Sequence, residues 1–489
     1  MKQVKNICFI FSNLIILHFR KLKRKLMTLI KSISGIRGTI GGKTGEGLSP
    51  LDVVKFTAAF GSIIKKSNPD KKVTIVVGRD ARISGPMVDQ LVCGTLVGMG
   101  IDIIEIGLAS TPTTEMEVVR HKAQGGIIIT ASHNPAQWNA LKLLNGTGEF
   151  ISDAEGKEVL KIAEKESFSF AEVGELGKIS HIEDSLHSHV NEILKLKLVD
   201  INAIKNAGLK VAIDAVNSVG GIALPYLLKK LGIEQIVKLY CEPNGLFPHN
   251  PEPLPENLTE ISSRIKETGA NVGFVVDPDV DRLAIVNEDG SMFGEEYTLV
   301  AISDYILGST KGNTVSNLSS TKALKDITLA HGCKYSSAAV GEVNVVSKMK
   351  ETSAIIGGEG NGGVIYPELH YGRDALAGIA LFLSHLAKSG KKCSELRAQY
   401  PDYFISKNKI QLNPEMNVDA ILEKMVNFYK NEPVELNTID GIRIDFPGEW
   451  VQLRKSNTEP IIRIYAEAKT NEKADALALK IIDQIKSFA

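Results

Sequence analysis

Residues 71–85 read KKVTIVVGRDARISG, an apolar, β-branched run followed by a polar turn with glycine and serine. Similar runs, each followed by a polar turn and a helix-like stretch, occur at 209–221 (LKVAIDAVNSVGG) and at 313–327 (NTVSNLSSTKALKDI). Strand, turn and helix in this order predict α/β domains with mixed, largely parallel sheets that are covered on both faces. Because the three units start more than a hundred residues apart, we expect one α/β domain around each.

The predicted order of strands and helices changes near residue 408. A helical stretch at 418–431 (VDAILEKMVNFYKN), strands around Arg443 and Ile464, and a closing helical stretch at 472–488 predict a small C-terminal α+β domain. A chain of 489 residues is too long for one hydrophobic core, and its length predicts about three or four domains. We place them at 27–190, 191–299, 300–408 and 409–489.

The first 26 residues form a separate feature. The apolar run NICFIFSNLIILHF (6–19) is shorter than the roughly 20 residues needed to cross a bilayer. The basic segment RKLKRK follows it, whereas a signal peptide carries its charge before the apolar run. We expect residues 1–26 to be an N-terminal extension outside the fold, with the first domain starting at Met27. A weak membrane anchor is the alternative.

Composition narrows the class of partner. Lys plus Arg and Asp plus Glu both total 57, so the net charge is zero, and no global charge favours nucleic acid or an anionic membrane. An acidic or phosphorylated ligand would need a local cluster of cations. The cysteines lie far apart without metal-ligand spacing, which favours free thiols in a reducing, cytoplasmic compartment. They are Cys8, Cys93, Cys241, Cys333 and Cys393.

The clearest chemical cluster lies at 271–286, NVGFVVDPDVDRLAIV. Asp277, Asp279 and Asp281 occupy alternate positions between two apolar strands, and Pro278 favours a tight loop. Three such carboxylates repel one another unless a cation lies between them, and hard oxygen ligands suit Mg²⁺. A solvated acidic turn is the alternative, but the two flanking apolar strands favour a metal site.

Two further clusters suit a phosphorylated sugar. In VQLRKSNTEPIIRIYAEA (451–468), a turn of cations, hydroxyls and backbone N–H groups can surround a phosphate, although a polar hairpin is the alternative. In IIGGEGNGGVIYPELHYGRDAL (355–376), glycines flank Glu359 and Asn361, so backbone can approach a ligand while these side chains bond to hydroxyl groups. A flexible glycine loop is the alternative there.

Two other motifs were tested against common catalytic patterns. SISGIRGTIGGKTG (32–45) is one residue short of a P-loop, which excludes ATP binding there and leaves Arg37 as a phosphate contact. In TASHNP (130–135), Ser132 and His133 are neighbours without a GxSxG elbow, which argues against acyl transfer. Ser132 ends an apolar strand and can instead attack phosphorus, with a metal and cations stabilising the transferred phosphoryl group.

In this order, the clusters resemble those of the α-D-phosphohexomutase family from about Met27 to the end of the chain. TASHNP matches the phosphoserine loop, DPDVDR the metal-binding loop, GEGNG the sugar-binding loop and RKSNTEP the phosphate-binding loop. Arg37 and Lys142 match family cations that assist phosphoryl and proton transfer. The catalytic candidates are then Ser132, Lys142, Arg37 and His133. The implied metal ligands are phosphorylated Ser132, Asp277, Asp279 and Asp281. The implied substrate-binding residues are Arg282, Glu342, Glu359, Asn361, Arg454, Ser456, Asn457, Thr458 and Arg463.

The resemblance also implies an architecture and a reaction. The four domains would surround a central cleft, and each would contribute one loop. The phosphoryl group on Ser132 would pass to a hexose monophosphate, giving a hexose 1,6-bisphosphate, and the other phosphate would return to Ser132. The implied cofactors are Mg²⁺ and the 1,6-bisphosphate, and the partners are small sugar phosphates. No nucleic acid or membrane partner is expected, and the enzyme would be a monomer or homodimer.

The motifs depart from the family pattern in three places. Many members have Ser and His where this chain has Asn361 and Gly363, and His370 is a nearby histidine that could compensate. Ala140 replaces a common glycine. TASHNP and Glu342, whose carboxylate could pair with an ammonium at C2 of the sugar, favour glucosamine phosphate. Asn457 in RKSNTEP is closer to the glucose and mannose type.

Two functions from other classes remain. A haloacid-dehalogenase-like phosphatase also uses a DxD loop with Mg²⁺, but the phosphate would be carried by Asp277. A non-catalytic sugar-phosphate sensor would bind its ligand without turnover. Because Ser132 and all three aspartates are present, the sequence favours the mutase.

Overall fold

A computed structural model describes residues 28–32, 35–411, 417–455 and 461–488. The expected N-terminal extension and the loop residues Ser456, Asn457 and Thr458 lie outside the described residues. The described chain divides into two compact units. Unit 1 comprises the residues up to Ala109, 114–185 and 244–246, and unit 2 comprises 110–113, 186–243 and the described residues from 247 onward.

The strands are β1 Ile30–Ser32, β2 Gly35–Thr39, β3 Thr74–Arg79, β4 Asp102–Leu108, β5 Gly125–Ile129, β6 Trp138–Asn145, β7 Ile179–His181, β8 Lys210–Asp214, β9 Gln235–Leu239, β10 Val272–Val276, β11 Leu283–Asn287, β12 Asn313–Asn317, β13 Tyr335–Ala338, β14 Ala354–Glu359, β15 Gly363–Ile365, β16 Phe404–Gln411, β17 Glu435–Asn437, β18 Ile442–Phe446, β19 Glu449–Lys455 and β20 Ile461–Ala468.

The helices are α1 Pro50–Ser67, α2 Gly85–Gly98, α3 Thr111–Arg120, α4 Asp153–Lys165, α5 Ser185–Lys195, α6 Ile201–Asn206, α7 Gly220–Lys230, α8 Thr259–Thr268, α9 Glu295–Ser309, α10 Lys322–Ala330, α11 Glu342–Thr352, α12 Ala375–Ser389, α13 Cys393–Arg397, α14 Val418–Tyr429 and α15 Asn471–Phe488. Two 3₁₀ turns, Val173–Glu175 and Pro255–Asn257, complete the described elements.

Unit 1 is built on one mixed sheet. Its strand order is β1-β2-β6-β5-β3-β4-β7, with parallel pairing from β5 through β3 and β4 to β7 and antiparallel pairing on the other side. Strand β5 is buried at every position, as expected of a parallel-type strand covered on both faces. Helices α1, α2 and α4 contribute to the same apolar cluster as this sheet, around Phe60, Ile75 and Ile127.

Unit 2 contains three sheets. Two of them have the same design, with three parallel strands and one antiparallel strand at an edge, in the orders β11-β10-β8-β9 and β13-β12-β14-β15. The last sheet, β16-β20-β19-β18-β17, is antiparallel throughout and packs with α14 and α15 around its own apolar core. The predicted fold class, three similar α/β regions and a C-terminal α+β region, is confirmed.

Two properties of the described residues bear on the sequence predictions. None of the described helices is both long and apolar enough to cross a membrane. Cys93, Cys241, Cys333 and Cys393 are free thiols in this part of the chain, and burial raises the pKa of Cys241 to about 12. A protonated thiol is a poor nucleophile, so Cys241 is not suited to nucleophilic catalysis.

Candidate active site

Three predicted motifs occupy equivalent positions in three sheets. In each case a strand with a parallel neighbour ends in the motif, and the chain returns as an antiparallel strand. TASHNP follows β5 and precedes β6, DPDVDR connects β10 to β11, and GEGNG connects β14 to β15. Ligands of α/β proteins bind at the carboxyl ends of the strands, so this placement suits all three motifs for binding or catalysis.

The loop that carries Ser132 is held by a buried ion pair. Arg82 donates its Nε hydrogen to Asp80 Oδ2 over 3.0 Å, and both side chains are fully buried. The Arg82 guanidinium also donates to carbonyl oxygens of the loop, over 2.8 Å to Pro135 and 3.0 Å to Trp138. Further bonds reach the carbonyl oxygens of Ser132 and Asn134. The loop is therefore fixed through its backbone, because a buried guanidinium requires several acceptors.

Ser132 has an unusual backbone conformation. Its φ is +48°, in the left-handed region that non-glycine residues rarely occupy, and its N–H donates to Thr130 Oγ1 over 2.9 Å. Thr130 in turn donates to Asp80 Oδ2 over 2.7 Å, which ties it to the Arg82 network. The residue is 7 % exposed, and its Oγ lies 3.3 Å from His133 Nδ1. Such retained strain is typical of functional positions.

Two predicted cations lie on the neighbouring strands. Arg37 on β2 pairs with Ala140 on β6, and Lys142 lies two residues further along β6. Since side chains two residues apart in a strand share a face, Arg37 and Lys142 lie on the same face of the sheet. Lys142 is 7 % exposed, with Nζ 5.5 Å from the centre of the Phe150 ring. The structure therefore brings Ser132, His133, Arg37 and Lys142 to one region of unit 1.

In unit 2, the three aspartates of DPDVDR form one buried group. Asp277, Asp279 and Asp281 are each 0 % exposed, and one carboxylate oxygen from each lies within 4.8 Å of the others. Asp277 Oδ1 accepts from the backbone N–H groups of Asp281 and Arg282, both over 3.2 Å. Thr111 Oγ1 donates to Asp279 Oδ2 over 2.5 Å. Converging carboxylate oxygens are the donor set of a hard divalent cation, so these residues fit a metal site.

The sugar-loop residues surround Arg373, which is not among the residues predicted from the sequence. Arg373 Nη2 donates to Asp281 Oδ2 over 2.7 Å, Nε to Glu342 Oε2 over 2.8 Å, and Nη1 to Glu359 Oε2 over 3.1 Å. Asn361 Nδ2 lies 3.4 Å from Glu359 Oε2. Predicted residues of the metal-binding loop, of α11 and of the sugar-binding loop are thus brought together.

Three predicted substrate-binding arginines have other contacts. Arg282 forms a 3.6 Å ion pair with Glu252. Arg454 on β19 and Arg463 on β20 are directly opposite each other in an antiparallel pair, and Arg454 also forms a 3.4 Å ion pair with Asp440. Two arginines that face each other across neighbouring strands can bond to one anion together, so this pair suits a phosphate.

His370 bonds to an aspartate next to Arg373. Its Nε2 lies 3.2 Å from Asp374 Oδ2, and His189 Nε2 lies 2.8 Å from the same oxygen. Burial would raise the pKa of Asp374, but the two histidines outweigh it and hold this pKa well below the usual range. His370 therefore belongs to a polar cluster that the sequence did not reveal.

Comparison with known proteins agrees with this arrangement. Four models of phosphoglucomutase/phosphomannomutase match in order: alpha/beta/alpha domain I at residues 29–170, domain II at 187–290, domain III at 294–403 and the C-terminal domain at 407–484. A phosphoglucomutase/phosphomannomutase of Thermococcus kodakarensis is 35% identical over 91% of this chain and 98% of its own length. A phosphoglucosamine/phosphogalactosamine mutase of Sulfurisphaera tokodaii is 32% identical over 91% and 96%.

A solved structure adds evidence for the fold. A phosphoglucomutase/phosphomannomutase family protein of Burkholderia thailandensis matches with a TM-score of 0.81 at 26% identity, covering 95% of this chain and 97% of its own. Its agreement extends over all four regions, which defines the protein as a phosphohexomutase, an enzyme that moves a phosphoryl group within a sugar. The chain belongs to the phosphoglucomutase/phosphomannomutase family.

Proposed function

We propose that this enzyme interconverts hexose 6-phosphates and hexose 1-phosphates through phosphorylated Ser132 and a hexose 1,6-bisphosphate, with glucosamine phosphate as its preferred substrate. The observation that carries the reaction is the buried group of Asp277, Asp279 and Asp281, whose oxygens lie within 4.8 Å of one another. Three buried carboxylates carry more negative charge than the single guanidinium of Arg373, which bonds to Asp281, can offset. Mg²⁺ bound there would stabilise charge on a transferring phosphoryl group.

The residues around Ser132 supply the groups for phosphoryl transfer. In unit 1, Ser132 carries the phosphoryl group: its Oγ–P bond breaks as a new bond forms between phosphorus and a sugar hydroxyl oxygen. The sugar hydroxyl gives up its proton as this bond forms, and Ser132 Oγ takes one up. His133, 3.3 Å from Ser132 Oγ, supplies the proton to the serine oxygen and regains one from the hydroxyl. Arg37 and Lys142, on one sheet face, neutralise the phosphoryl oxygens. In the return step the other phosphate of the bisphosphate is transferred to Ser132.

Other predicted residues supply the sugar and phosphate contacts. Glu359 and Asn361 bond to sugar hydroxyls, and Arg454 and Arg463 hold the phosphate that is not reacting, together with Ser456, Asn457 and Thr458. Glu342 and Glu359 carry two negative charges against the single positive charge of Arg373. The remaining negative charge favours a sugar with an ammonium group at C2, which supports glucosamine phosphate.

A second candidate is a phosphoglucomutase/phosphomannomutase. Glu342 is already engaged through both oxygens, since Oε1 accepts from the Arg373 backbone N–H over 3.1 Å and Oε2 accepts from Nε. A carboxylate held in this way is less able to turn toward an ammonium group, which favours neutral hexoses.

A coupled assay distinguishes these candidates. The enzyme is given Mg²⁺, a trace of the matching 1,6-bisphosphate, and glucosamine 6-phosphate, glucose 1-phosphate or mannose 1-phosphate in parallel. We expect the highest kcat/KM with the amino sugar, whereas equal or higher values with glucose or mannose would favour the second candidate.

A serine pair tests the mechanism. We expect Ser132→Ala to abolish turnover and the phosphoserine signal in peptide mass spectra. Ser62→Ala, in the second half of α1, should preserve both, since Ser62 Oγ donates to Ala58 O over 2.8 Å in the same helix. Binding without turnover in the primed wild type would favour the sensor, and a phosphate on Asp277 would favour the phosphatase.

A further inference from the structure

One guanidinium connects three carboxylates from three separate segments. Arg373 bonds through Nη2 to Asp281, through Nε to Glu342 and through Nη1 to Glu359, at 2.7, 2.8 and 3.1 Å. The three acids come from the metal-binding loop, the start of α11 and the sugar-binding loop. All four residues are at most 8 % exposed, so water contributes little to screening their charges.

The position of Arg373 is fixed by its neighbours in the chain. Its backbone N–H donates to Glu342 Oε1 over 3.1 Å. The next residue, Asp374, accepts through Oδ1 from the first N–H groups of α12, those of Leu376 and Ala377, over 2.8 and 3.1 Å. His189 and His370 hold the other oxygen of Asp374. A helix cap and two imidazoles thus prevent the Arg373 backbone from moving away from the acids.

The carboxylates of this group outnumber its single cation. Glu342 and Glu359 contribute two negative charges, and Arg373 contributes one positive charge that it also shares with Asp281. A guanidinium stays protonated in proteins, and this one bonds to three carboxylates. Arg373 is therefore a permanent cation beside the sugar loop.

We infer that Arg373 determines sugar specificity, because its charge offsets one of the two carboxylates at the sugar site and so limits the preference of the site for amino sugars over neutral sugars. The inference rests on the proposed function, since it requires a sugar phosphate at Glu359. The carboxylates attract the C2 ammonium of glucosamine phosphate, and Arg373 repels it. Glucose phosphate has a neutral hydroxyl at C2, so these charges change its affinity little.

The test measures selectivity instead of activity. Full-length enzyme with Ser132→Ala binds sugar phosphates without turnover, and calorimetry near neutral pH without Mg²⁺ gives dissociation constants for glucosamine 6-phosphate and glucose 6-phosphate. Their ratio is compared among the Ser132→Ala protein and its Arg373→Gln, Arg373→Lys and Arg397→Lys derivatives. Arg397 is a matched control because it is also largely buried, where it stacks on Tyr297 and pairs with Asp402.

The two Arg373 variants have different expected results. Arg373→Gln removes the charge, so the preference for the amino sugar should rise about tenfold, the effect of one unit charge at about 10 Å with an effective dielectric near 20. Arg373→Lys retains the charge but cannot bond to three acids at once, so both affinities should fall together at an unchanged ratio. Arg397→Lys should leave the ratio unchanged.

Two results would overturn the inference. If Arg373→Gln weakens binding of both sugar phosphates equally, Arg373 only supports the structure. If Arg373→Gln does not fold, Glu342→Gln provides a second test. Removing this acid should lower the preference for glucosamine 6-phosphate about tenfold. An unchanged preference in Glu342→Gln overturns the inference. If the parent protein binds neither sugar phosphate, the proposed function itself fails.

Discussion

The Cδ atom of Arg373 lies 2.4 Å from the position that a Cβ atom on Gly363 would occupy. Real side-chain atoms do not approach so closely, and Asn361 Oδ1 lies 3.1 Å from the same position. Gly363 is where many family members carry histidine, so Arg373 fills the space that a side chain at 363 would need. His370 bonds instead to Asp374. A histidine at position 363 and the buried Arg373 side chain would therefore compete for the same space.

The first prediction concerns this contact. Gly363→Ala should displace the Arg373 side chain, lower kcat/KM about tenfold, and cost about 1–3 kcal/mol of stability through overpacking. Denaturant unfolding and the coupled assay measure the two effects. Gly308→Ala in α9 is the control, because nothing lies within 4 Å of its added Cβ. Wild-type activity in Gly363→Ala would show that Arg373 tolerates displacement.

The second prediction concerns the aspartate group. Asp279→Asn removes one of three mutually repelling charges, so without Mg²⁺ the variant should melt at a higher temperature than the wild type. Saturating Mg²⁺ should raise the wild-type Tm, since a ligand at 100 times its Kd adds about 2.7 kcal/mol, and should raise that of Asp279→Asn much less. Asp289→Asn, in the exposed turn after β11, should respond like the wild type. Equal Mg²⁺ responses in all three proteins would remove this loop from the metal site.

The third prediction concerns the scaffold of the Ser132 loop. Arg82→Met leaves Asp80 buried without its cation and four loop carbonyls without their donor, which should cost about 3–5 kcal/mol of unfolding free energy. Arg120→Gln, which removes a partly exposed arginine paired with Glu117 and Asp184, should cost no more than about 1 kcal/mol. Similar losses in the two variants, measured by denaturant unfolding, would contradict a special role for Arg82.

The fourth prediction concerns the facing arginines of the last sheet. Arg463→Gln should raise KM for the sugar phosphate about 10- to 100-fold, the value of one charge-assisted hydrogen bond, with little loss of stability. It should also weaken competition by inorganic phosphate. Arg264→Gln, on the exposed side of α8, removes a cation that pairs only with Glu267 in the same helix among the described ion pairs, and should change neither constant. A KM unaffected by Arg463→Gln would place the phosphate elsewhere.

The fifth prediction concerns pH. Burial, reinforced by the charge of Glu105, raises the pKa of Asp89 from 3.8 to about 6. The folded state thus holds this proton more tightly than the unfolded state, so the stabilising contribution is complete below about pH 3.8 and is lost as pH rises through about 6. Asp89→Asn should remove this part of the pH dependence of the free energy of unfolding and be more stable than the wild type at pH 8. The exposed Asp153→Asn is the control, and parallel curves for wild type and Asp89→Asn would disprove the shift.

The local patterns of the sequence were sufficient for the fold class and the family. Strands such as β3 and β8 are short, apolar and followed by polar turns, so a short stretch of consecutive residues is enough to predict them. The aspartates of DPDVDR were recognisable for the same reason, since all three lie within five residues. The prediction that this loop lies between two strands is confirmed. The catalytic and binding roles, and the domain limits at 190, 299 and 408, stay predictions.

The supporting residues could not be found in this way. Arg82 bonds to carbonyls about fifty residues later in the chain, and Arg373 bonds to an aspartate ninety-two residues earlier. No periodicity or spacing reports such contacts, because they depend on which strands become neighbours. The only available signals were arginines in otherwise apolar or glycine-rich surroundings, at GRDAR and YGRDAL. A buried position for such an arginine implies acceptors, but only the structure identifies them.

The hydrogen bonds from Arg82 to carbonyl oxygens bear on what happens when the enzyme loses its phosphate. The bonds that shape the Ser132 loop end on backbone atoms, which are the same whether or not the serine carries phosphate. Phosphorylation of Ser132 would therefore not remove the acceptors of Arg82. If Ser132 carries the phosphate as proposed, an enzyme molecule that loses this phosphate to water keeps these bonds, and a hexose 1,6-bisphosphate can phosphorylate it again.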